Sequence, residues 1–144
     1  MIRLATEHDR PRVVAMAKEF HAVAGLPFEF STPMASALFS ASISETNRIC
    51  IIFAPDGIAH GVLVAQAGMH RFAPVKVAEE IMWWVDPAHR GASAMKMLVA
   101  YERWARDRGC AFASMVGLGY DPTPARLYEH RGYVAAERHY LKPL

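Results

Sequence analysis

VDPAHRGASAMKML, Val85 to Leu98, is the stretch whose reading decides the fold. It follows an apolar run, EIMWWV (Glu80–Val85), and leads into a pattern of helical period. Between Arg90 and Met95 nothing larger than Ser93 occurs. Small side chains give up packing, so this junction needs room, either for a ligand or for a neighbouring strand. A helix start offers unpaired N–H groups and the positive end of the helix dipole, and an anion reaches them only if side chains stay clear. Close packing of helix on sheet favours the same residues, so the segment by itself leaves both readings open.

Working outward, apolar positions 94, 97, 98, 101, 104 and 105 lie on one helix face that Gly109 ends. Ala111–Leu118 (AFASMVGL) has the composition of a buried strand, Asp121 and Pro122 begin a short helix that Gly132 ends, and Tyr133–Leu141 suits a last strand. Upstream, Ile2–Ala5 is a short strand. Asp9 is placed to cap a helix with Pro11 in its first turn and Val13, Met16, Ala17, Phe20, Val23 and Ala24 on its apolar face. A second helix is expected over Pro33–Ile43, capped by Ser31 or Thr32. RICIIF (Arg48–Phe53) and IAHGVLVAQ (Ile58–Gln66) form a hairpin around Pro55-Asp56-Gly57, with Val77–Val85 as the next strand. The order βααβββαβαβ predicts one α/β domain over 1–144 with a mixed sheet.

Composition narrows the class. An apolar share of 53% and a charged share of 21% are those of a globular protein. No apolar run reaches the roughly 18 residues of a membrane span. MIRLATEHDRP carries charge where a signal peptide would be apolar, so a cytoplasmic address is expected. Cys50 and Cys110 lack CxxC spacing and are expected as reduced thiols. A net charge of +2 is too small to point to nucleic acid as the main partner.

Motif tests exclude more. The dinucleotide fingerprint fails because Gly91 is the junction's only glycine, and GxxxxGK[ST] is absent. Gly91-Ala92-Ser93, followed by Asp121 and His130 or His139, has the chain order of a serine hydrolase, but Met95 stands where the elbow needs a second glycine. His60, His70, His89, His130 and His139 show no HExxH or Cys/His ligand spacing, so no metal is expected. Lys96, Arg103, Arg106 and Arg108 give the long helix a basic, solvated surface.

Taken together, VDPAHRGASA after a strand, a helix ending RDRGC, another strand and then DPTPARLYEHRGY resemble the GNAT superfamily of acyl-CoA-dependent N-acetyltransferases. The resemblance covers the whole chain and is strongest from Glu80 to Tyr133. It implies a mixed, mostly antiparallel sheet of about six strands flanked by about four helices. It further implies acetyl transfer from acetyl-CoA, as cosubstrate, directly to an amine.

By position, the resemblance places the pyrophosphate loop on Arg90, Gly91, Ala92, Ser93, Ala94 and Met95. It places the pantetheine arm along Trp83, Trp84 and Val85, and Asp121 near the cofactor. It sets Tyr128 near the CoA sulfur and makes Glu80 the candidate base, since Glu79 belongs to the other strand face. Phe28 and Phe30 would shape the acceptor pocket. Ser93 and Met95 depart from the small residues usual in the loop, and the C-terminus has room for one strand rather than a final hairpin. The expected partner is a small-molecule or peptide amine, with homodimer formation as the family tendency and neither membrane nor nucleic acid involved. A catalytically silent acyl-CoA-binding or nucleic-acid-associated module with this fold is the alternative.

Overall fold

The computed structural model describes residues 1–117 and 123–144. Five strands form one sheet in the order β1-β2-β3-β4-β5: β1 Ile2–Leu4, β2 Arg48–Phe53, β3 Gly61–Met69, β4 Lys76–Val85 and β5 Phe112–Ser114. The first three pairings are antiparallel and β4–β5 is parallel. The helices are α1 Arg10–Ala24, α2 Thr32–Ser44, α3 Ala92–Asp107 and α4 Thr123–His130.

The central strands are apolar on successive residues because both faces of the sheet are covered. On one face Cys50, Ile52, Val62 and Val64 meet Val13 and Met16 of α1 and Phe39 of α2. On the other, Ile49, Ile51, Leu63 and Ala65 meet Met97, Leu98, Tyr101 and Ala105 of α3 and Tyr128 of α4. Gly61 is needed where β3 passes under α3: a Cβ there would lie 3.1 Å from Phe53 Cβ and 3.2 Å from Met97 Sδ.

Several expectations are corrected. The sheet has five strands among the described residues, not six: β5 keeps only three residues of the expected Ala111–Leu118, and Tyr133–Leu141 forms no strand. Val134, Tyr140 and Leu141 are exposed, so that segment buries too little apolar surface to order itself against the sheet. Asp9 does not cap α1 with its side chain. Its carboxylate is taken by Arg3, at 2.8 and 2.9 Å, and by the Thr6 N–H at 2.8 Å. Val23, expected on the apolar face of α1, is exposed in the last turn. Ser31 is the α2 cap, accepting from the Met34 N–H at 3.3 Å.

Candidate active site

β4 departs from simple alternation. Its register with β3 runs Met82↔Val64 and then Glu80↔Ala65, so Ile81 is an extra residue, a β-bulge. Ile81 and Met82 consequently pack on the same cluster, that of α1 and α2. Strict alternation would put Glu80 on the face of Met82 and Trp84. The bulge moves it instead to the face of Trp83, Val85 and Tyr128. One inserted residue therefore brings the candidate base to the α3/α4 side.

β4 also loses its parallel partner there. Pairing with β5 stops at Glu79↔Ser114. Beyond it side chains replace the backbone ladder at Val116: its N–H donates to Glu80 Oε2 at 3.2 Å, and the Tyr128 hydroxyl donates to Val116 O at 2.9 Å. Tyr101 fixes the same segment, its hydroxyl donating to Ser114 O at 2.8 Å. Glu80 and Tyr128 thus grip one residue from opposite sides.

Among the described residues the remainder of β4 has no strand partner on this edge. The peptide joining Val85 to Asp86 gives its N–H to His60 O at 2.8 Å, so the trans geometry turns Val85 C=O away from β3. By strand periodicity the N–H and C=O of Trp83 point outward as well, whereas the peptide groups of Trp84 face β3. Arg90 already claims one edge acceptor, its Nε donating to Val85 O at 2.9 Å, and its guanidinium carbon lies 5.0 Å from the centre of the Trp84 ring. The Trp84 indole itself lies in the α1/α2 core and donates to Asp86 Oδ1 at 3.2 Å.

At the head of α3, Gly91 is the N-cap with φ 143° and ψ −133°, a conformation open essentially to glycine alone. No side chain caps the helix, and Gly91 and Ala92 are exposed. The Ala94 N–H bonds Gly91 O at 3.1 Å, while among the described residues no acceptor is paired with the Ala92 and Ser93 N–H groups. Met95 is half-buried beside Ala94 and belongs to neither core cluster. Asp121 lies outside the described residues.

Burial sets the chemistry of the two candidate groups. Glu80 is 7% exposed, and burial pushes its carboxyl up to about 7, opposed only by the Val116 N–H. Burial, and next the adjacent Glu80 carboxylate, raise the Tyr128 phenol above its ordinary value. Trp83 stacks obliquely on Tyr128 with ring centres 5.9 Å apart, and its buried Nε1 has no partner among the described residues. Glu79 is exposed on the other face.

Among the described residues Ser93 is bonded to neither His130 nor His139. Ser93 Oγ donates to His89 O at 3.0 Å, and the exposed His139 pairs with Glu137 at 3.1 Å. Phe28 and Phe30 each meet His21 edge-on, with centres 5.7 and 5.6 Å apart, in the loop between α1 and α2. Sequence reasoning missed the bulge and the Val116 clamp, because backbone partners leave no side-chain signature.

Comparison with known proteins settles the family. The model of the acetyltransferase (GNAT) family matches residues 10–133. The chain belongs to that family. A search of curated proteins finds no significant match in sequence. Solved structures share the fold at low identity. A predicted acetyltransferase with acetyl-CoA from Clostridium acetobutylicum is 13% identical over 99% of this chain and 95% of that one, with a TM-score of 0.82. A transcriptional regulator from Bacillus halodurans is 19% identical over 100% and 99%, at 0.83. AAC(6')-Iy in complex with a bisubstrate analogue, CoA-S-monomethyl-acetylneamine, is 16% identical over 100% and 97%, at 0.80. In this GNAT chain no helix among the described residues is long and apolar enough to cross a membrane.

Proposed function

We propose that this acetyltransferase-family chain moves an acetyl group from acetyl-CoA directly to a primary amine of a small molecule or peptide, without a covalent enzyme intermediate. The observation that carries the reading is Glu80: a buried carboxyl, raised to about 7, beside the unpaired edge of β4. The thioester supplies an activated acyl group and a thiolate leaving group.

The residues present fit such a ligand. Ala92 and Ser93 leave amides free at a glycine-opened helix start, where a diphosphate is favoured by both hydrogen bonding and the helix dipole. The Trp83 C=O and the Val85 N–H offer strand-like pairing to the amides of a pantetheine arm, and Trp83 Nε1, unpartnered among the described residues, is a further donor. The Trp83 N–H, on the same edge and nearer to Glu80, would then be the donor to the acyl oxygen as charge develops there.

Glu80 acts as base. An alkylammonium of pKa ~10.4 must lose a proton before it has a lone pair to attack with. A carboxylate with pKa about 7 accepts that proton far better than one at the ordinary 4.5. Tyr128 takes a narrower role than full acid. A free thiol has pKa about 8.5, so a phenol raised above its own ordinary value stabilises the departing sulfur by turning its single O–H from Val116 O to that sulfur, donating a hydrogen bond rather than yielding the proton.

The test is CoA release from acetyl-CoA across a panel of small amines, amino acids and peptides. Turnover with at least one amine, lost in Glu80→Gln while acetyl-CoA still binds, supports the reading. Binding without turnover on any amine would make the chain a silent acyl-CoA-binding module.

A further inference from the structure

Where β3 begins and β4 ends, one carboxylate collects donors from three elements. Asp86 Oδ2 accepts from the Arg12 guanidinium of α1 at 2.7 Å and faces Nδ1 of His60, the residue before β3, at 3.1 Å. Its Oδ1 accepts from Trp84 Nε1 of β4 at 3.2 Å. Arg12 Nε also donates to Ala59 O at 3.0 Å, and the Asp86 N–H donates to His60 O at 2.8 Å, so backbone and side chains bind the same corner.

From that carboxylate two routes run to the α3 junction. Through Oδ1 the Trp84 ring is held, and the Arg90 guanidinium lies 5.0 Å from its centre while Arg90 Nε donates to Val85 O. Through Oδ2 His60 is held, and its ring stacks on that of His89, with centres 3.8 Å apart and planes 12° apart. His89 sits in the 3-10 turn Pro87–His89, and its carbonyl accepts from Ser93 Oγ at 3.0 Å, inside the first turn of α3. Both ends of the segment Arg90–Ser93 are therefore fixed by contacts that lead back to Asp86. Gly91, between them, has no side chain with which to anchor itself.

We propose that Asp86 is a positioning residue for acyl-CoA: through Trp84 and His60 it holds the head of α3 so that the Ala92 and Ser93 amides meet the diphosphate, an assignment that rests on the acyl-CoA reading of that helix head. His60 makes this clasp sensitive to pH. Its Nε2 lies 3.2 Å from Asp56 Oδ2, and a neutral imidazole, with one N–H, cannot donate to both carboxylates. The imidazolium satisfies both. The hydrogen bond to Asp86 raises His60 above its ordinary value, burial opposes that, and Asp56 adds to it. Arg12 of α1 shares Asp86 Oδ2 with the ring, and His89 lies against its face. Deprotonation removes one of the two bonds and loosens the junction, so acyl-CoA affinity falls as pH rises through the His60 titration. By linkage, bound ligand raises that titration further.

Calorimetric titration of the full chain with acetyl-CoA at pH 6 and pH 8.5 tests this, with Asp86→Asn and His60→Gln beside wild type. Asp86→Asn is expected to bind about tenfold more weakly at pH 6, the worth of one hydrogen bond to a charged group. His60→Gln keeps an amide donor but cannot be charged. Wild type should lose about fivefold more affinity between the two pH values than this variant does. The comparison of slopes cancels the titration of the ligand's own phosphates and of Glu80, which the variant retains. Unchanged affinity in folded Asp86→Asn, or equal slopes in wild type and His60→Gln, would overturn the assignment and leave the acyl-CoA reading standing. No binding by wild type at either pH would bring down that reading, and the assignment with it.

Discussion

The two faces of the sheet bury similar sets of residues for different ends. The α1/α2 face is almost wholly apolar, built on Met16, Phe39, Ile52, Val62 and Val64. The α3/α4 face mixes Leu63, Met97 and Leu98 with the hydroxyls of Tyr101 and Tyr128 and carries the buried carboxylates Glu80 and Glu102. Glu102 is matched by Arg131 at 2.8 Å, which ties α3 to the chain after α4. Among the described residues Glu80 has no cation, only the Val116 N–H. Burying an uncompensated carboxyl costs stability, and it is tolerated on the face where the chemistry is proposed.

Substitutions should separate the faces. Phe39→Ala leaves a cavity under α2 and should cost about 3–5 kcal/mol, read as a lowered denaturation midpoint. Its kcat/KM per folded molecule should stay near wild type; a large fall would erase the division. Glu80→Gln should do the reverse, lowering kcat/KM by about 10²-fold or more with acetyl-CoA affinity kept.

The pH dependence of stability sharpens the same contrast. The folded Glu80 carboxyl titrates near 7 and the unfolded one near 4.5, so between those values the folded state holds the extra proton. Its contribution is complete below pH 4.5 and is lost as pH rises through 7. Denaturant unfolding at pH 5 and pH 8 should show wild type losing about 2.5 kcal/mol more than Glu80→Gln over that interval. Parallel curves would mean that Glu80 ionises normally. Smallest is Tyr128→Phe, expected to lower kcat by about tenfold, the worth of one hydrogen bond to a charged group, with KM for acetyl-CoA little changed.

Much of the fold was legible because its signals are local. Pro11, Ser31, Gly25 and Gly109 bracket helices, and the faces of α1 and α3 follow helical spacing apart from Val23 and Ala94. The α3 junction was legible too, since a run of small residues after a strand has few physical uses. The bulge at Ile81 was not: EEIMWWV is continuous, contains no glycine, and permits either phase until β3 fixes the register. The last strand was overread because alternation in VAAERHYLK measures a local preference, while pairing depends on a partner edge. His60 and Asp86 lie 26 residues apart and meet only when β3 and β4 pair, so no local pattern announces that contact.

The central claim is that the free amides heading α3 and the open edge of β4 hold an acyl-CoA. Isothermal titration of the chain with acetyl-CoA and with CoA tests it most directly. The account predicts one site for each ligand at micromolar affinity, kept in Glu80→Gln and lost in Gly91→Val, whose side chain cannot adopt φ 143°. No binding of either ligand by the folded chain at millimolar concentration, or full affinity in Gly91→Val, would contradict it.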